Sequence, residues 1–140
     1  MSTATPELIA PLHGPSRRTL LFCALLGLLA FDLLGLGGDF SRAHRLLRRS
    51  RTARRRSSAE IVNRVCHAVN HASVWYPKQV RCLQRSVVTT FLLRRCGVPA
   101  QMAVGAQTIP FKAHAWTEVN GHAINERNDV QKIYSVWERC

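Results

Sequence analysis

The amino-acid sequence predicts an α+β fold, with helices first and a small antiparallel sheet after them. Two runs between Ser58 and Arg95 repeat apolar residues at helical spacing, and from Ala100 onward apolar and small residues alternate with period two. The dipeptide Asn120-Gly121 then sits between two short alternating runs, a strong two-residue hairpin signal. At 140 residues the chain fits one domain, and its 46% apolar content suits a folded core.

Residues 1–16 hold Pro6, Pro11, Gly14 and Pro15 without periodicity and read as a flexible tail. Segment 17–40 is a Leu-rich helix, opened by Arg17-Arg18, with the stretch from Thr19 to Gly38 interrupted only by Asp32. A signal peptide would need a small-residue cleavage site where Gly37-Gly38-Asp39-Phe40 stands, and a membrane span would place Asp32 in hydrocarbon. The preferred reading is a helix that packs on the domain or a partner, or lies in a membrane interface.

Segment 41–57 carries Arg42, Arg45, Arg48, Arg49, Arg51, Arg54, Arg55 and Arg56, much of the net charge of +12, and reads as a solvated connector or a contact for an acidic partner. It has no interleaved aromatic residues for base stacking, so no nucleic acid is expected.

The remaining domain, 58–140, starts with a helix over Ile61, Val62, Val65, Cys66, Val69 and Ala72, capped by Ser57 or Ser58 and ended by Trp75, Tyr76 and Pro77. A second helix runs from Cys82 through Leu92 and leaves through Arg94-Arg95-Cys96-Gly97, with Gly97 in the left-handed position. Ala100, Met102, Val104 and Ala106 form a half-buried strand. Thr108 to Lys112 is a connection, Ala113 to Val119 a second strand, His122 to Asn125 a third, and Tyr134 to Trp137 a last one.

Five cysteines with no CxxC pair argue against a disulfide framework or a zinc ribbon and for a reducing cytoplasm. Cys82 falls at a helix N-terminus, where free N–H groups and the helix dipole favour a thiolate. Cys23, Cys66, Cys96 and Cys140 are less suitably placed. His114, between Ala113 and Ala115, is positioned as a general base, and the hairpin returns Asn125 and Glu126 beside it to orient the ring. An oxyanion hole would use the Cys82 N–H and a donor from Gln79 or Trp75. Trp116 and Tyr76 read as wall or core. His67 and His71 share a helix face at zinc-ligand spacing, but Cys66 points elsewhere on the helix, so no metal is expected.

Cys82-Leu83-Gln84-Arg85-Ser86, Leu92 to Ala100, Val104-Gly105 and above all His114-Ala115-Trp116-Thr117-Glu118-Val119-Asn120-Gly121 resemble the B2 proteins of lasso-peptide biosynthesis, the transglutaminase-like leader peptidases. The likeness runs from about Ser58 to Glu126. It implies a papain-like arrangement, with Cys82 as nucleophile, His114 as base and Glu126 as third member. The family usually carries aspartate where Glu126 stands; Asn125 is the alternative and Asp129 a weaker one. The resemblance further implies cleavage of the leader from a lasso precursor, a separate leader-recognition protein of the B1, PqqD-like kind, and an ATP-dependent lasso cyclase, with no cofactor. The rival readings are acyl transfer to an amine and a non-catalytic basic peptide-binding scaffold. Localisation is expected to be cytoplasmic, with the Leu-rich helix and arginine block as the place for any membrane-surface contact.

Overall fold

The computed structural model describes residues 14–36, 39–52, 59–126 and 129–140. Most of the expected tail, the connector residues Arg54, Arg55 and Arg56, and the expected cap Ser57 or Ser58 lie outside the described residues.

Helix α1 spans Arg17–Leu33, and the Ser16 hydroxyl accepts from the Thr19 N–H at 3.2 Å to cap it. Leu20, Ala24, Leu28 and Phe31 share its buried face, the first three set against α3 (Ala59–Trp75) and α4 (Cys82–Arg95). A Cβ on Gly27 would stand 3.0 Å from Val88, so glycine permits the close crossing of α1 and α4. Asp32 accepts a 2.5 Å hydrogen bond from the Tyr76 hydroxyl and pairs with Lys78, while Gln84 donates to the Leu28 carbonyl. The one carboxylate of α1 thus ties it to the connection between α3 and α4. No helix among the described residues is long and apolar enough to cross a membrane.

The arginine segment corrects its reading as a connector in part, because α2 occupies Phe40–Arg49. Asp39 caps it by accepting from the N–H groups of Ser41 and Arg42. Ala43 and Leu47, four residues apart, are buried with Phe31, Leu36, Val87 and Met102, and the arginines take the exposed face.

Helix α4 is the spine of the fold. It buries Val87, Val88, Leu92 and Leu93 and also Gln84, Ser86, Thr89, Thr90 and Arg94. Arg94 donates to the carbonyls of Leu47 and Ala100 and to the Ser50 hydroxyl, joining α2 to the start of the sheet. The helix ends at Gly97, whose φ of +85° is the expected left-handed position.

Strands β1 (Ala100–Thr108), β2 (Phe111–Val119), β3 (His122–Ile124) and β4 (Ser135–Arg139) form one antiparallel sheet in the order β3-β2-β1-β4. Asn120 and Gly121, with φ of +53° and +79°, make the tight turn between β2 and β3. The strands run further than alternation indicated, since Thr108 already pairs with Phe111 across Ile109 and Pro110. β1 is not half-buried at its centre: Ala103 is fully buried with Trp116 and Val130, because the short helix α5 (Val130–Ile133) and Tyr134 cover that face of the sheet.

Candidate active site

Cys82 is the first residue of α4. Arg81 in the cap position offers no side-chain acceptor to the first N–H groups of the helix. The half-buried Cys82 thiol shares a hydrogen bond with the His114 ring, and the N–H groups of Ala115 and Leu83 also reach it. The bond to His114 holds the thiol below its ordinary pKa, outweighing burial, and the two backbone donors add to the effect. His114 is displaced the other way. Its bond to Cys82 raises it most, burial opposes, and the charge of Glu126 raises it further. Opposed shifts of this kind favour a thiolate facing an imidazolium.

The sheet leaves room for this contact. β3 pairs only with Thr117, Glu118 and Val119, so the edge of β2 is open at His114 and Ala115. Helix α4 fills that edge with residues spaced by four. Ser86 donates to the Ala115 carbonyl at 2.9 Å, Thr117 donates to the Ser86 carbonyl, and Thr90 bonds Thr117 at 3.1 Å. Both backbone groups of Ala115 are therefore held by α4, the N–H by Cys82 and the C=O by Ser86.

His114 Nε2 lies 3.1 Å from Glu126 Oε1, which leaves Nδ1 for the sulfur. The same carboxylate oxygen accepts from Arg85 at 2.7 Å, one helical turn beyond Cys82. The ring lies over Trp116 and Tyr134, with centroids 6.1 and 5.3 Å away. Asn125 is turned elsewhere: with φ of +56°, it exchanges hydrogen bonds of 2.7 and 2.8 Å with Asn70 of α3, so it anchors the end of β3. Asp129 stands at the start of α5.

Of the oxyanion donors expected from sequence, Gln79 and Trp75 do not line the cleft that holds Cys82 and His114. Gln79 lines a separate cleft with Asp32 and Arg81, and Trp75 is exposed at the end of α3 beside His71. The N–H of Cys82 itself, at the start of α4, is the nearer donor by position. Cys66, half-buried on α3, is pushed up to about 11 by burial, and burial likewise raises Cys96 and, to about 11, Cys140. His67 and His71 lie on the exposed side of α3, and no group of three or more metal-ligating side chains occurs among the described residues.

Cys82 and His114 open into an apolar cleft of about 380 Å³ walled by Phe40, Leu83, Val104, Ala113 and Trp137. A bulge sets one wall. β1 steps from Val104 to Gly105 while β4 steps from Glu138 to Val136, and the extra residue is Trp137. On the rim, His44 of α2 meets Glu138 at 2.8 Å.

A family model described as the transglutaminase-like superfamily matches residues 25–138. The sequence is also 33% identical over 55 residues to the Microcin J25-processing protein McjB of Escherichia coli. That alignment covers 39% of this chain and 26% of McjB, about a quarter of the relative's length. No solved structure matches the chain.

Proposed function

The chain belongs to the transglutaminase-like superfamily, and from that premise we propose that it is a cysteine peptidase that removes the leader from a lasso-peptide precursor. The observation that carries this reading is the hydrogen-bonded run from Cys82 through His114 to Glu126, opening on an apolar cleft. Similarity to a protein named for processing microcin J25 supports the choice of substrate.

In the proposed reaction the Cys82 thiolate attacks the carbonyl carbon of the last leader peptide bond. The Cys82 N–H at the start of α4 receives the developing oxyanion. As the tetrahedral intermediate collapses, the C–N bond breaks and His114 gives its Nδ1 proton to the departing amine of the core peptide. Glu126 balances the imidazolium and Arg85 holds Glu126. His114, now neutral, takes a proton from water, whose oxygen attacks the thioester and releases the leader as a carboxylate. The freed core amine is the group a separate ATP-dependent lasso cyclase would use for ring closure, and a small leader-recognition protein would present the precursor.

Cleavage of the cognate precursor in the presence of the recognition protein, followed by mass spectrometry, tests the proposal. Wild type is expected to release leader and core. Cys82→Ala and His114→Ala, both folded by circular dichroism, are expected to lose cleavage. Full cleavage by Cys82→Ala would remove the proposed nucleophile, and a leader joined to an added amine instead of water would mark acyl transfer.

A further inference from the structure

A second surface lies outside the cleft. On the side of α1 opposite its buried residues, Phe22, Leu26, Leu29 and Leu33 are 61, 48, 46 and 77% exposed. Spaced four, three and four apart, they form one stripe about 17 Å long. No charged residue stands in α1 between Arg18 and Asp32, and Asp32 is turned to Tyr76 and Lys78. An exposed apolar stripe of this length on a folded domain marks a contact surface.

Beside it, between α1 and α3, runs an open groove of about 710 Å³ with Leu21 and Ala68 in its lining. Its cationic lining residues are Arg17, Arg18 and Arg64, with His67 and His71 alongside. Glu60, the one carboxylate lining it, is already bound to Arg64. Trp75, one turn beyond His71, is 71% exposed. Apolar and cationic groups therefore stand side by side, the pairing that an anionic membrane surface requires.

Helix α1 has 17 residues, about 25 Å, against a hydrocarbon core of about 30 Å, and it buries its inner face in its own fold. It is too short to span a bilayer. We propose that this side of the molecule docks on an anionic phospholipid surface, the α1 stripe entering the boundary between headgroups and acyl chains while Arg17, Arg18 and Arg64 meet phosphates. Two features favour lipid over an acidic helix of a partner protein. The stripe is the convex outer face of a helix, which a plane covers along its whole length, and none of its four side chains has a hydrogen-bonding group to set a protein partner's register.

Flotation of the full chain with vesicles of equal parts phosphatidylglycerol and phosphatidylcholine, compared with phosphatidylcholine alone, tests this. Wild type is expected to float with the anionic vesicles only, and less as salt rises. Leu26→Gln with Leu29→Gln is expected to cut partitioning about tenfold or more with the thermal midpoint unchanged. Leu33→Gln, at the most exposed position, is the second variant if the pair fails to fold. Arg17→Gln with Arg18→Gln is expected to weaken binding and its salt dependence together. Failure of wild type to float, equal flotation with neutral vesicles, or variants that float like wild type would each overturn the proposal. So would stripe variants that dissociate a dimer in solution while vesicle binding is unchanged, which would assign the face to a protein.

Discussion

Glu126 accepts from both Arg85 and His114 on one carboxylate oxygen, so its charge and its position are separable contributions. Glu126→Gln keeps an acceptor near the ring but removes the charge that raises His114. The imidazolium is then less stable, its pKa falls, and the alkaline limb of the kcat/KM profile is expected to move to lower pH, with the maximum rate down about 10²-fold. Arg85→Met leaves the carboxylate charge in place and removes a competing cation. Its profile is expected to keep the alkaline limb at or above the wild-type position while kcat falls about tenfold through lost orientation. A leftward shift in Arg85→Met equal to that of Glu126→Gln would mean that the arginine acts only by keeping the carboxylate in reach. Cys82 and His114 were legible as residues because a helix start and a strand flanked by alanines are local features. Arg85 and Ser86 were not, since their roles exist only once α4 lies along the open edge of β2.

Among the elements, β4 determines more of the site than its length suggests. A Cβ on Gly105 would stand 2.6 Å from the Ser135 carbonyl oxygen and 2.9 Å from the Trp116 ring, so only glycine allows β4 to close on β1 while Trp116 lies beneath. Gly105→Ala is expected to cost about 1 to 3 kcal/mol in urea unfolding by overpacking, and to lower kcat because Trp116 stacks on His114. Unchanged stability would mean that β4 shifts at little cost. The bulge that follows gives Trp137 to the cleft as part of its apolar wall. Trp137→Ala is therefore expected to raise KM about 10-fold or more for precursors with an apolar residue at the cut and to leave kcat near wild type. The hairpin at Asn120-Gly121 and helices α3 and α4 followed from spacing alone. α2 was hidden because four arginines outweigh its two buried positions, and α5 because four residues are too few for a period.

Across the whole molecule, burial overrode alternation on the outer face of the sheet. His114, Trp116 and Glu118 share that face by period two, which taken alone describes a solvated side. The chain instead returns after β3 to lay α5 and Tyr134 over it, and Glu118 is left 3% exposed. Burial raises its carboxyl, but hydrogen bonds from Arg139, Gln131 and Trp116 outweigh burial and hold it below the usual range. Glu118 thus joins three separate segments at one carboxylate, and acid should undo that junction. A pKa lower in the folded state than in the unfolded chain gives stability that is whole above the unfolded value and lost as pH falls through the folded one. Glu118→Gln keeps acceptors for Trp116 and Gln131 but leaves the Arg139 guanidinium without its charge partner. The variant is expected to be about 2 kcal/mol less stable near neutral pH, and the difference from wild type should shrink as pH drops below about 4. Asp32, held low by the Tyr76 hydroxyl, keeps part of the acid slope in both proteins. Urea unfolding across that range reads the difference directly; a gap independent of pH would assign the loss to packing around Trp116 and not to the buried charge.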